Sequence, residues 1–116
     1  MNTTLYGIAN CDTVKKARAW LAGRGVAYDF HDYRKQGVPQ AALAGWMQAA
    51  GWEKLLNRQG TTWRRLDPAR QAAVTDAASA LALMLEQPSL IRRPVLVRGA
   101  SLRVGFDAAD WAGLTG

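Results

Sequence analysis

One thiol is the most reactive group this chain offers. Cys11 is the only cysteine in 116 residues, and it lies between a short apolar run, Leu5 to Ala9, and a strongly helical segment that begins Asp12-Thr13-Val14-Lys15-Lys16-Ala17. That placement predicts a strand-to-helix junction. A helix N-terminus carries unpaired backbone N–H groups and the positive end of the macrodipole, which favour a thiolate over a thiol. At an ordinary pKa of about 8.5 only roughly 3% of a thiol is ionised at pH 7, and a pKa of about 6 would make it roughly 90%. The alternative is a cysteine buried as a small apolar residue.

The second chemical signal is cationic. The net charge of +6 comes from 15 basic and 9 acidic residues, and 11 of the basic ones are arginine. Arginine grips carboxylates and phosphate-like oxyanions through its planar fork, so a small anionic ligand is one reading, with nucleic acid and a plain solvated surface as the others. The basic residues are spread along the chain rather than massed in one run, which disfavours nucleic acid.

The remaining composition bounds the class. A length of 116 residues, 49% hydrophobic and 21% charged, fits a single domain with one core. A lone cysteine excludes an internal disulfide framework and fits a reducing compartment. The start of the chain, Met1-Asn2-Thr3-Thr4, has no basic and apolar leader pattern, and no run approaches a membrane span, so the expectation is a cytoplasmic protein without membrane association. No sustained heptad or long exposed strand is visible, which leads to the expectation of a monomer.

The elements that must position Cys11 follow from periodicity. Thr4 to Ile8 reads as a strand, and Val14, Ala17 and Leu21 share one face of a helix stopped by Gly23 to Gly25. Val26 to Tyr33 reads as a second strand, which makes a βαβ unit with parallel strands. Pro39 opens a helix with Leu43, Trp46, Met47 and Ala50 on one face, ended by Gly51; a turn at Trp52 to Leu56 and a polar stretch from Asn57 to Thr62 follow. Asp67-Pro68 is an N-cap with proline at the first helical position, and Ala69 to Glu86 reads as one or two helices with a break near Thr75 to Ser79. Pro94 to Val97 and Ser101 to Val104 form a hairpin, Asp107 caps a last helix through Trp111, and the tail from Gly113 is expected to fray. The order is βαβ, an all-helical insertion over residues 38–88, then ββα.

This arrangement, with a cysteine at the first strand-to-helix turn and a proline opening the third strand, resembles the thioredoxin-like fold, an α/β class. Asn10-Cys11-Asp12-Thr13, the helical insertion, Leu55-Leu56-Asn57-Arg58 and Leu90-Ile91-Arg92-Arg93-Pro94-Val95-Leu96-Val97 together look like the ArsC (arsenate reductase-like) family, and in particular its YffB-type branch. The resemblance runs from Leu5 to about Trp111. It implies one ArsC-like domain, with a thioredoxin-like core over residues 1–37 and 89–116, and a cis peptide bond at Arg93-Pro94. It also implies Cys11 as nucleophile and Arg93 as the cation beside it. Asn10, the N–H groups of Thr13 and Val14, and Pro94 are the expected substrate-binding positions, and Arg58 and Arg103 are candidate additional cations, as is Arg64.

The departures from the family pattern restrict the function. Arsenate reductases carry a second active-site arginine after the Leu-Leu pair, where this chain has Asn57 followed by Arg58. They carry a third after the last strand, where this chain has Val104-Gly105-Phe106, with Arg103 the nearest cation. These differences weigh against arsenate reduction. Val14 stands where a dithiol enzyme has its second cysteine, so turnover requires an external thiol. The expectation is a thiol-dependent reductase or thiol-disulfide oxidoreductase that uses glutathione or another small thiol as co-substrate, with protein disulfides as possible substrates and no bound cofactor.

A reading from a different class is a regulator of the Spx type, which resembles this chain in fold and binds RNA polymerase without catalysis. The redox-sensing members carry Cys-x-x-Cys, and Val14 removes that pair. His31 is the only histidine, so a histidine-based metal site and a Cys-His pair are weakly supported and a surface role is the expectation, and five tryptophans at helical spacing read as packing residues.

Overall fold

The computed structural model describes residues 2–116. Two compact units emerge: one takes the chain up to Gly37 and again from Arg93 to Gly116, and the other is the helical segment Val38–Arg92.

The first unit is built on a four-stranded sheet in the order β2-β1-β3-β4. Strand β1 (Thr3–Gly7) pairs in parallel with β2 (Asp29–Asp32) and antiparallel with β3 (Val95–Arg98), and β3 forms a hairpin with β4 (Ser101–Val104). A parallel pair needs a crossover, and helix α1 (Asp12–Gly23) supplies it. This is the thioredoxin-like α/β arrangement. On one face Leu5 of β1 and Leu96 of β3, directly paired, meet Ala17 and Leu21 of α1 and Trp111 of the last helix, all with no exposed surface. Phe106 meets Trp111 edge-on at 4.9 Å, and Trp20 contacts both rings. Removing a ring such as that of Trp111 from a packed core costs about 3–5 kcal/mol.

Two glycines set the approach of elements around the site. A Cβ at Gly7 would lie 2.8 Å from Cγ2 of Val14, so only glycine at the end of β1 lets the first turn of α1 come this close. Gly105, at φ +87°, donates its N–H to the carbonyl of Pro94 at 2.8 Å and so ties the end of β4 to the entry of β3.

Strand β2 is shorter than the sequence implies, because residues 26–28 lie outside the ladder and Tyr33 opens a helical turn, α2 (Tyr33–Gln36). The cause is Asp32. Its carboxylate accepts the N–H of Arg34 at 2.9 Å, and Gln36 Oε1 accepts the N–H of Asp32 at 3.0 Å. The last helix also differs from expectation: it runs from Ala108 to Thr115 through Gly113, its end held by the Thr115 hydroxyl donating to the Trp111 carbonyl. Asp107 caps it as its spacing predicts.

The helical unit holds α3 (Gln40–Ala50), α4 (Trp52–Leu55), α5 (Thr61–Arg64), α6 (Pro68–Ala72) and α7 (Ala77–Glu86), then a 3₁₀ turn at Pro88–Leu90. Leu43 and Met47 of α3, Leu55 of α4 and Leu83 and Met84 of α7 are among its buried side chains. The break within 69–86 is an N-cap: Asp76 and Ser79 form a reciprocal capping box. The polar stretch after Leu56 is partly helical, since α5 begins at Thr61. This unit extends to Arg92, four residues past the boundary expected at 88, because Leu56 bridges Ile91 and the N–H of Arg92 donates to the Leu55 carbonyl.

Val14 is β-branched and fully buried, so it has little rotamer freedom with which to yield. Gly7→Ala is therefore expected to destabilise the fold by about 1–3 kcal/mol through overpacking. Combining it with Val14→Ala should give less than the sum of the two single losses, a non-additivity that denaturant unfolding of the four proteins measures.

A thiol and an arginine at the end of the central strand

Beyond Gly7 the chain passes through Ile8, Ala9 and Asn10 and enters α1 with Cys11 in the N-cap position at φ −142° and ψ 125°. The Cys11 carbonyl accepts the first intrahelical bond, from Lys15 N–H at 2.9 Å. The N–H groups of the first turn are consequently directed at the residue that precedes it. Val14 has its side chain in the core and its N–H toward the sulfur, so a buried anchor presents a polar group to the site.

Cys11 is half-buried and is the only thiol. Partial burial pushes its pKa up, but the N–H of Val14, the hydrogen bond and positive charge of Arg93, and the N–H of Thr13 outweigh that effect and hold it below the ordinary thiol value. Sγ makes no capping bond of regular geometry. Its stabilisation is mainly electrostatic, shared between backbone dipoles and one guanidinium.

Arg93 reaches this position because β3 is antiparallel to β1. Tyr6 is paired with Val95, so the residues that enter β3 arrive beside those that leave β1. Pro94 is buried and the Arg93–Pro94 peptide bond is cis. The cis bond agrees with the expectation drawn from the family resemblance.

Most other arginines have structural partners. Arg18 donates to the Tyr28 hydroxyl and lies over Phe30, Arg24 lies over Trp20, and Arg98 donates to the Thr3 hydroxyl. Arg103 is committed to Asp110, with Nε to Oδ2 at 2.7 Å, and its NH1 donates to the Leu102 carbonyl. It is an ion-paired hairpin residue, partly exposed. Within the helical unit Arg58 is exposed and lies over Trp52 and Trp63, Arg64 donates to the Gln59 carbonyl, and Asn57 accepts the N–H of Gln59 in a turn. The cationic skew of the composition is thus largely absorbed by packing. Asn10 is exposed beside the thiol. His31, half-buried, donates through Nε2 to the Gly37 carbonyl at 2.8 Å and stacks with Tyr6. Among the described residues no group of histidine, cysteine and carboxylate side chains is arranged to hold a metal ion, and no helix is long and apolar enough to cross a membrane.

A feature the sequence reading missed is Tyr33. It read as the last residue of a strand, whereas it is buried at the same end of the sheet and feels the charge of Arg93. The Asp32 and Gln36 spacing was the available signal.

A thioredoxin-like sheet with a single thiol at the first helix start and an arginine before the proline of the third strand defines an ArsC-like protein. Residues 6–114 match the ArsC family, and the chain belongs to it. It is 39% identical over 108 residues to an uncharacterised protein of Haemophilus influenzae, covering 93% of this chain and 94% of that one. It is 26% identical over 106 residues to the global transcriptional regulator Spx of Streptococcus agalactiae, covering 90% of this chain and 76% of Spx. Among solved structures, the YFFB protein superposes with a TM-score of 0.94 at 49% identity, covering 99% and 100% of the two chains. An arsenate reductase (ArsC) related protein from Brucella melitensis gives 0.77 at 50% identity, covering 97% and 93%.

The electrostatics predict the pH dependence of alkylation. The thiolate form of Cys11 is favoured by Val14 N–H, Arg93 and Thr13 N–H, so iodoacetamide should react with a midpoint below the ordinary thiol pKa. Arg93→Ala removes both a hydrogen bond and a charge, and is expected to move that midpoint upward. A midpoint left in place would remove Arg93 from the account. Because the folded pKa is depressed, the contribution of the thiolate to stability is full above the unfolded thiol pKa and lost as pH falls through the folded one.

Proposed function

We propose that this chain is a monothiol, glutathione-dependent thiol-disulfide reductase, with Cys11 as nucleophile and Arg93 as its electrostatic partner. The observation that carries the reading is the half-exposed Cys11 thiol, held toward thiolate by the start of α1 and by Arg93. A thiolate is the attacking species in thiol-disulfide exchange. Cys11 S⁻ attacks the glutathione sulfur of a mixed disulfide RS–SG, forming Cys11–S–SG and releasing RS⁻, which takes a proton from solvent. A free glutathione, as thiolate, attacks the glutathionyl sulfur of this mixed disulfide, so that the S–S bond to Cys11 breaks, oxidised glutathione is released and Cys11 S⁻ leaves. The net change is RS–SG plus one glutathione thiol to RSH plus oxidised glutathione: the R sulfur is reduced to a thiol, the incoming glutathione sulfur takes its place in a disulfide, and the glutathionyl sulfur stays at disulfide level throughout.

Each residue has a defined part. Arg93 stabilises Cys11 S⁻ as attacking and as leaving group and offers its fork to a carboxylate of glutathione. The Thr13 and Val14 N–H groups lower the energy of the thiolate, Asn10 is exposed next to Cys11, and buried Pro94 joins Arg93 to the start of β3. The absence of any second cysteine in the sequence supports the external-thiol cycle. Arsenate reduction is disfavoured, since Asn57 and Val104 stand where that activity has arginines. The protein acts as a cytoplasmic monomer in this reading.

The similarity to Spx supports a second reading, a regulatory protein that binds RNA polymerase. Capture of RNA polymerase by the Cys11→Ser protein as efficiently as by wild type, together with inert Cys11, would favour it.

Oxidised glutathione should add one glutathionyl group to the intact protein, and reduced glutathione should remove it, both seen by mass spectrometry. Turnover of a glutathionylated peptide disulfide should vanish in Cys11→Ser and fall about 100-fold in kcat/KM in Arg93→Ala, as for loss of a charge-stabilising donor. Full turnover by Cys11→Ser, or an unmodified wild type, contradicts the mechanism.

A further inference from the structure

The helical unit contains five arginines, and four of them are engaged. Arg58 lies over Trp52 and Trp63, Arg64 donates to the Gln59 carbonyl, Arg70 is paired with Glu86, and Arg92 donates through Nε to the Lys54 carbonyl. Arg65 is the exception. It is exposed, and its guanidinium has no hydrogen bond, ion pair or ring contact among the described residues. It lines a cavity of about 260 Å³ together with Thr62, Leu66, Gln87 and Ser89.

Two chain segments build this cavity. Thr62, Arg65 and Leu66 are spaced i, i+3, i+4 and share one face, because Arg65 keeps helical dihedrals just past the end of α5 and donates its N–H to the Thr61 carbonyl. The other segment is the end of α7. Gln87 follows its last turn, and Pro88 opens the 3₁₀ turn that carries Ser89, whose hydroxyl meets that of Thr62 at 2.9 Å. The main chain of Gln87 is spent, its N–H on the Leu83 carbonyl and its own carbonyl on the N–H of Leu90. Its carboxamide has no partner among the described residues.

No carboxylate lines the cavity, and the two nearest in sequence are committed elsewhere: Asp67 accepts the N–H of Ala69, and Glu86 holds Arg70. One positive charge, no negative charge, and amide and hydroxyl groups around a single hollow suit an anion with several acceptor oxygens. The guanidinium fork takes two such oxygens, and donors on the opposite segment require a further one. A phosphoryl group supplies it, whereas a carboxylate, with two oxygens, is used up by the fork. We propose that the cavity between α5 and the end of α7 is a phosphoryl-anion site, with Arg65 as its charge-pairing group, the Gln87 carboxamide as a neutral donor and the Thr62–Ser89 hydroxyl pair joining the two segments. The site lies wholly within the helical unit and is independent of the reading of Cys11.

Inorganic phosphate and O-phosphoserine, titrated at constant ionic strength into isotope-labelled protein, should each move the amide signals of Thr62, Arg65, Leu66, Gln87 and Ser89 in a saturable way. Gln87→Glu keeps the side-chain shape and sets a carboxylate against the anion, so binding should be lost. Arg65→Gln should weaken binding about tenfold, the size of a lost hydrogen bond to a charged group. Arg64→Gln removes the same charge one residue away, outside the lining, and should leave the affinity in place. Tighter binding of O-phosphoserine assigns the site to a phosphoester, and tighter binding of inorganic phosphate assigns it to the free ion. Shifts that do not saturate, shifts confined to the residues around Cys11, or equal losses in Arg64→Gln and Arg65→Gln overturn the proposal.

Discussion

The close approach of α1 to the end of β1 is the contact on which the site depends. Val14 is driven against Gly7 by the burial of one helical face, and that contact decides where the first N–H groups of α1 point. The polar start of the helix is therefore positioned by apolar packing a single turn away. A helix docked even slightly farther from the strand would carry its unpaired N–H groups off the sulfur, and the electrostatic benefit falls off within the first turn. The core and the chemistry are in this sense one arrangement, with Val14 serving both.

The second half of the site comes from strand order. Because β1 lies between a parallel and an antiparallel neighbour, the segment leaving β2 and the segment entering β3 arrive at the same end. Cys11 and Arg93 are far apart along the chain and are brought together by this strand order, with Tyr33 at the same end of the sheet. The hydrogen bond from Gly105 to the Pro94 carbonyl fastens the entry of β3, and Arg103 of β4 pairs with Asp110 of the last helix. The guanidinium is thus carried on the segment that enters a paired strand, which limits the cost of orienting a flexible side chain toward an anion.

The arginine content shows how composition misleads when read without neighbours. Eleven arginines suggest an anion-rich partner, yet the folded chain turns several of them into packing residues, over Trp20, Phe30, Trp52 and Trp63 or against carbonyl and carboxylate groups. Guanidinium groups stack on aromatic faces while keeping their hydrogen bonds, so an arginine-rich and tryptophan-rich sequence consumes its own cations. Arg93 differs because the residue after it is buried at the head of a strand whose neighbour leads to the thiol.

Local signals were sufficient for much of this. The apolar run before Cys11, the helical face of Val14, Ala17 and Leu21, the caps at Asp67 and Asp107, and the hairpin around Gly99 are all properties of short windows, and the sequence determined them because capping, periodicity and turn chemistry act within a few residues. The thiol at a helix start was legible for the same reason. Where the strand of His31 stops was less so, since Tyr33 is a good strand former and the bonds of Asp32 with Arg34 N–H and Gln36 Oε1 turn the chain into a helix there. What tertiary structure alone decided was which polar groups share the end of β1, the fate of Arg103 as an ion-pair partner, and the burial of the Tyr33 hydroxyl. Those outcomes depend on strand order and register, which join residues distant in sequence, and no local window carries that information.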